Sequence, residues 1–327
     1  MPNSQFEGGA RSMDRRRLLR QATALVAGAA AAGRAGKAQA QQETGASEPL
    51  FPVFKVSKVQ TTGATIHVVS GGQGPPLLLL HGAPQSHATW HRIAPRLARD
   101  FTVVAADLRG YGDSSKPADG TNHFNYSKRA MAQDEVEVMR HFGFEKFAVV
   151  GHDRGGRVAH RMALDHPDRV AKAAVIDIVP THKLFHNVTR EFATSYYHWF
   201  FLIQPAPFPE TLINNSIDFY MGRGNSEAAK EYQRCFRNPA TVHAMCEDYR
   251  AAASIDLEHD DADRNRKIAC PLLALWAERG AMGRMYDVLA VWREYAANVT
   301  GKGLPGGHSL QEDRPDETLA ELQAFLR

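Results

Sequence analysis

An apolar run, Phe147-Ala-Val-Val, passes without a break into Gly151-His152-Asp153-Arg154-Gly155-Gly156-Arg157, and this junction constrains the chain more than any other feature. The run reads as a buried strand and the residues from Gly155 onward as a helix, joined by a tight turn. Glycines around the turn permit a backbone that other residues resist, so the middle side chain is held above a sheet edge at a helix N-terminus. That middle residue is an aspartate. With a reference pKa of about 3.9 its carboxylate is ionised at neutral pH and needs no base to act as a nucleophile. Carboxylates attack saturated carbon, displacing halide or opening an epoxide, and leave an ester that water must hydrolyse. The second step calls for a base, an orienting acid and an oxyanion hole.

The rest of the chain supports an α/β architecture. From Phe51 short apolar runs alternate with amphipathic stretches, the pattern of a mostly parallel sheet flanked by helices. An opening hairpin is expected at 53–59 and 64–69, with further strands at 76–80, 102–106, 147–150, 172–176 and 271–276. Helices are expected at 90–99, 127–141, 155–165, 286–297 and 315–326. Over 181–262 the strand signal stops and Tyr, Phe, Trp, His and Met recur at helical spacing, which predicts a helical cap inserted into a core of 41–180 and 263–327. The charged run Glu258-His259-Asp260-Asp261 reads as a solvated boundary without metal-ligand spacing.

Residues 1–40 read as an address. Arg15-Arg16-Arg17, a weakly apolar stretch over 22–33 and Ala38-Gln39-Ala40 resemble a twin-arginine export signal with a small-x-small cleavage site, which predicts a periplasmic protein; the alternative is a disordered extension created by an early start codon on a cytoplasmic one. The stretch is too short for a membrane span, which needs about 20 apolar residues, so no stable membrane insertion is expected. Removing the seven Lys/Arg and two Asp/Glu of this segment from totals of 39 and 36 leaves 32 basic against 34 acidic residues. A slightly acidic body argues against nucleic acid as a partner. Cys235, Cys246 and Cys270 are odd in number and lack CxxC spacing, so neither a disulfide framework nor a zinc site follows.

Partners for Asp153 can be proposed from position. Gly306-Gly307-His308-Ser309 precedes the C-terminal helix, which makes His308 the candidate base. Two carboxylates follow strand ends and could orient it, Asp177 after Ile176 and Glu278 after Trp276, and spacing does not choose between them. His81-Gly82-Ala83-Pro84 after the 76–80 strand suggests an oxyanion loop, with the backbone N–H groups of Ala83 and Arg154 as donors. Arg154 and Arg157, three apart on one helix face, could fork a planar carboxylate.

From Phe51 to its end the chain resembles the fluoroacetate and haloacetate dehalogenases of the α/β-hydrolase fold. The resemblance is carried by His81-Gly-Ala-Pro-Gln, Asp107-Leu-Arg-Gly-Tyr-Gly, Gly151-His-Asp-Arg-Gly-Gly-Arg, Val175-Ile-Asp-Ile-Val-Pro, Tyr197-His-Trp, Gln204-Pro-Ala-Pro and Cys246-Glu-Asp-Tyr-Arg. It implies Asp153 as nucleophile, His308 as base and Asp177 as triad acid. It further implies Arg154 and Arg157 as the substrate-carboxylate pair, and His198, Trp199 and Tyr249 as donors to the leaving halide. A small haloacid is the implied substrate, a homodimer the implied assembly, and neither a metal nor an organic cofactor is implied. Two features depart from the family: Ala83 stands where a larger apolar residue is frequent, and the segment between Tyr220 and Cys246 is short and poor in tryptophan. Two rival readings remain. An epoxide hydrolase would use the same Asp, His and acid, with Tyr196, Tyr197, Tyr220 or Tyr249 assisting ring opening. A non-catalytic ligand-binding relative would have no need of the intact nucleophile, base and acid.

Overall fold

The computed structural model describes residues 49–222 and 224–327; the export signal expected within 1–40 lies outside the described residues. Eight strands form the sheet: β1 (Lys55–Gln60), β2 (Thr65–Gly71), β3 (Pro76–Leu80), β4 (Thr102–Ala106), β5 (Phe147–His152), β6 (Val170–Ile176), β7 (Leu272–Ala277) and β8 (Val299–Leu304). Their order is β1-β2-β4-β3-β5-β6-β7-β8. The pairs β1–β2 and β2–β4 are antiparallel. Every other pair is parallel.

Period-two geometry explains why the central strands read as unbroken apolar runs. Successive side chains point to opposite faces, and helices cover both. Leu78 and Leu80 join Val104, Val149 and Val158 in one core layer, while Leu77 and Leu79 join Trp90, Val103 and Leu322 in the other. All four leucines are fully buried, each contributing about 1.5–3 kcal/mol by leaving water.

Three details differ from expectation. The helix expected over 90–99 is a 3-10 turn, His87–Trp90, followed by the short helix Ala94–Leu97. Pro95 lacks an N–H and cannot continue a helix begun upstream. β8, Val-Thr-Gly-Lys-Gly-Leu, lacks an apolar pattern because glycines occupy two of its positions. Gly301 is required there, since a Cβ would lie 1.8 Å from the Ala274 carbonyl oxygen of β7. The charged run at 258–261 belongs to the helix Ile255–Ala262; Glu258 and Asp261 face solvent, but His259 and Asp260 are half-buried.

Between β6 and β7 the described residues form helices, from Thr181–His186 to Ile255–Ala262. The longest of them, Pro239–Ala252, starts where the Asn238 side chain accepts from the Ala240 N–H and proline takes the first position. Its charged residues Glu247, Asp248 and Arg250 are buried, each against an oppositely charged partner. Arg250 Nη1 donates to Glu247 at 2.8 Å and Glu210 at 2.7 Å, and its Nε and Nη2 donate to the Gln204 carbonyl at 3.0 and 2.7 Å. The motifs Gln204-Pro-Ala-Pro and Cys246-Glu-Asp-Tyr-Arg therefore meet here. No helix among the described residues is long and apolar enough to cross a membrane.

All parallel strands end at one sheet edge. The direction of the connections reverses between β3, which leads to β4 on one side, and β5, which leads to β6 on the other. Such a reversal opens a crevice beyond the carboxyl ends of the strands.

Candidate active site

Asp153 stands at that crevice, between β5 and the helix Arg154–Asp165. Its φ is 44°, a left-handed conformation that costs a non-glycine residue of order 1–3 kcal/mol and persists only where the surroundings enforce it. The neighbouring glycines enforce it by letting strand, turn and helix close up. A Cβ on Gly155 would lie 2.4 Å from the Leu80 carbonyl oxygen, and one on Gly82 would lie 2.6 Å from the Asp153 Cβ. The Asp153 carboxylate caps none of the helix N–H groups. Instead its Oδ2 accepts from the Ala83 N–H at 3.1 Å, across from β3. Arg154, whose N–H opens the helix, is the other backbone donor expected there.

His308 follows β8, and its Nδ1 lies 2.6 Å from Asp177 Oδ2. The choice between Asp177 and Glu278 is made by the sheet. Asp177 follows β6, and its Oδ1 accepts from the Ala277 N–H at the end of β7 at 2.9 Å, leaving Oδ2 for the imidazole. Glu278 has its N–H on the Leu304 carbonyl and its side chain in solvent. Asp177 is buried, whereas 41% of the His308 side chain stays accessible.

The electrostatics follow from these positions. Burial opposes ionisation of Asp153, but the charges of His308, His152, Arg157 and Arg154 outweigh it and hold the carboxyl at about 2. Burial also opposes charge on His308, yet its hydrogen bond to Asp177 and the nearby Asp153 raise its pKa above the usual imidazole value. Burial lowers His152 to about 4, with His308 adding to the effect. His198 is lowered to about 4 chiefly by burial.

Arg154 and Arg157 come together with the aromatic donors. The Arg154 guanidinium carbon lies 4.2 Å from the Tyr249 ring centre and 5.4 Å from that of Trp199; for Arg157 and Trp199 the distance is 4.6 Å. Trp199 and Tyr249 meet edge to face at 5.5 Å, and His198 and Tyr249 at 5.9 Å. Arg157 Nη1 donates to the Val179 carbonyl and Thr181 Oγ1 at 2.8 and 3.1 Å. Arg154 Nη1 and Arg157 Nε are buried without a hydrogen-bond partner among the described residues. Burial lowers Arg157 to about 10, and the Arg154 charge pushes the same way.

Sequence reasoning missed the group that holds Arg154. Asp248 is fully buried and accepts from Arg154 Nε at 2.9 Å and Nη2 at 2.6 Å, and from the Tyr111 hydroxyl at 2.7 Å. Lys128 also pairs with it. Burial alone would raise the Asp248 pKa, but the Arg154 and Lys128 charges drive it far below the usual carboxylate range. The available signal was the position of Asp248 inside Cys246-Glu-Asp-Tyr-Arg; its partners lie too far away in sequence to be seen there.

Three groups of His and carboxylate side chains among the described residues are close enough to hold a cation, and none includes Asp153, His308 or Asp177. A cavity of about 610 Å³ lined by Arg109, Phe124, Arg129 and His166 also lies apart from these residues.

The α/β hydrolase fold family matches residues 75–315. The chain is 48% identical to a fluoroacetate dehalogenase of Burkholderia sp over 80% of its own length and 90% of that protein's. It is 34% identical to a soluble epoxide hydrolase of Corynebacterium sp., over 81% of this chain and 94% of the relative. A solved α/β hydrolase structure from Nostoc sp PCC 7120 superimposes with a TM-score of 0.82 at 58% identity, covering 84% of this chain and 98% of that one.

Proposed function

The chain belongs to the haloacetate dehalogenase family of the α/β-hydrolase fold, and from that premise we propose that it hydrolyses small 2-haloacids to 2-hydroxyacids and halide. An Asp153 oxygen attacks the halogen-bearing carbon, and the carbon–halogen bond breaks with its electron pair leaving on the halide. His198, Trp199 and Tyr249 surround the departing ion with N–H and O–H donors that replace its lost hydration. His308 then takes a proton from water, and the oxygen attacks the ester carbonyl carbon of Asp153. Negative charge developing on the carbonyl oxygen meets the Ala83 N–H, with the Arg154 N–H as second donor. Collapse expels the alkoxide, which takes the proton from His308 and leaves as the hydroxyacid; Asp153 is left as a carboxylic acid and, with a pKa of about 2, releases the remaining proton to solvent, restoring the carboxylate.

The charge of Asp153 changes between the two steps, and His308 responds to it. While Asp153 is ionised it helps hold the imidazole pKa up. Alkylation neutralises Asp153, so the ring becomes a better-populated neutral base at the stage that needs one.

The observation that carries this reading is the pair of buried guanidinium groups beside Asp153, each with a donor lacking a partner among the described residues. A haloacid carboxylate satisfies both. A neutral epoxide would leave them uncompensated, at a cost of about 1–3 kcal/mol or more for each. The similarity to an epoxide hydrolase supports ring opening as the second reading. The test is halide release from fluoroacetate and chloroacetate beside diol formation from styrene oxide. Halide without diol is the expected result; diol without halide would replace this function by epoxide hydrolysis, and neither would leave a ligand-binding protein.

A further inference from the structure

His308 has one side-chain hydrogen bond, to Asp177, and much of its ring is open. The orientation of its free nitrogen is set by that bond together with the loop that carries the ring. Two contacts hold that loop, one at its backbone and one at a side chain. His152 Nε2 donates to the His308 carbonyl at 2.9 Å, with the rings 4.7 Å apart, and Gln85 Nε2 donates to Ser309 Oγ at 3.1 Å. Gln85 is buried, and its Oε1 lies 3.1 Å from His152 Nδ1, a packing contact while the neutral ring donates through Nε2, so Gln85 touches the loops on either side of the base.

Gln85 is in turn held by Glu312. A single oxygen, Glu312 Oε1, accepts from Gln85 Nε2 at 3.1 Å, Thr89 Oγ1 at 2.6 Å and the Tyr232 hydroxyl at 2.7 Å. Thr89 is fixed by Gln311 Nε2 at 2.7 Å. Tyr232 is different in origin, because it comes from Glu227–Phe236, one of the helices between β6 and β7. It is buried, and its hydroxyl proton is held on the oxygen by burial and by the Glu312 charge, so it serves as a donor throughout the neutral range.

We propose that Glu312 is a positioning residue for the base: it joins Tyr232 of the helix Glu227–Phe236 to Gln85 and thence to the His308 loop, so that the seating of this helix sets the orientation of the imidazole. The relay makes ester hydrolysis, the step that uses His308, depend on a side chain that touches neither substrate nor nucleophile. Formation of the ester uses Asp153 and does not pass through it. The kinetic consequence rests on the dehalogenase reading; the structural one does not.

Tyr232→Phe removes only the hydroxyl and keeps the ring packed, leaving Glu312 its other two donors; Glu312→Gln is the second variant. Proton NMR of the substrate-free enzyme follows the His308 Nδ1–H in its bond to Asp177 and the titration of the imidazole. Rapid-quench kinetics with a haloacetate separate the halide burst from ester hydrolysis. In both variants the His308 titration should be displaced, and ester hydrolysis should slow about tenfold, the equivalent of one lost hydrogen bond, while the burst rate stays at its wild-type value. An unchanged His308 titration in both folded variants would overturn the relay, and so would equal slowing of burst and hydrolysis. If wild-type enzyme releases no halide from any haloacetate, the dehalogenase reading fails separately, and the NMR comparison alone decides the relay.

Discussion

Arg154 commits two of its nitrogens to Asp248, Nε at 2.9 Å from one carboxylate oxygen and Nη2 at 2.6 Å from the other, and keeps Nη1 buried without a partner among the described residues. A guanidinium is a planar fork, so gripping one side fixes where the remaining donor points. Asp248→Asn should therefore loosen Arg154 and leave Arg154 and Lys128 as buried cations facing each other. Breaking a buried pair in this way costs about 3–5 kcal/mol. Urea denaturation should show that loss, and KM for haloacetate should rise in any variant that still folds. Wild-type stability would mean that Asp248 does not balance the two cations.

The nucleophile and the base should separate on mutation. Asp153→Asn should abolish turnover, because a neutral amide does not displace halide. His308→Asn should still be alkylated and accumulate an ester on Asp153. Peptide mass spectrometry after incubation with a haloacetate reads this directly; an unmodified Asp153 peptide in a folded His308 variant would contradict the two-step route.

Charge on the substrate should matter through the arginines. Replacing Arg157 by Gln should weaken haloacetate binding by about 1.5–3 kcal/mol, the range for a hydrogen bond to a charged group. Haloacetamide, which carries no charge, should lose much less. Equal losses on both compounds would remove the carboxylate-binding role.

Activity and stability should move in opposite directions with pH around His308. Its folded pKa is raised above the ordinary 6.5, so the Asp177–His308 pair contributes fully to stability below the unfolded value and loses that contribution as pH rises through the folded one. The neutral base needed for turnover appears over the same rise. Turnover should therefore increase as pH rises above 6.5 while the part of Tm that depends on Asp177 declines, measured against Asp177→Asn. A pH-independent difference in Tm between the two proteins would contradict the pairing.

Fluoride needs more solvation on leaving than chloride does. Trp199→Phe and Tyr249→Phe each delete one donor and keep the aromatic bulk, so each should slow defluorination by about 2–4 kcal/mol in activation free energy and dechlorination distinctly less. The readout is the ratio of kcat/KM for fluoroacetate and chloroacetate. An unchanged ratio in both variants would reduce these residues to pocket walls.

What the sequence determined by itself is local. The order of strand, glycine, Asp153, paired glycines and helix needs no distant contact to be read, because the clash that demands glycine at Gly151 comes from Gly155, four residues away. The apolar strands were equally legible, since burial on both faces writes an unbroken run into five or six residues, and β8 escaped because its glycines write nothing. The Asp177 and Glu278 alternatives could not be separated in this way. Both follow buried strands, and only the pairing of β6 with β7 puts the Ala277 N–H on one Asp177 oxygen and turns the other toward His308, 131 residues away. Likewise Asp248 meets Arg154 across 94 residues and Tyr232 meets Glu312 across 80. Hydrogen bonds reach about 3 Å in space whatever the separation along the chain, so which buried charge faces which is settled by the packing of whole elements, and only the tertiary structure decided it.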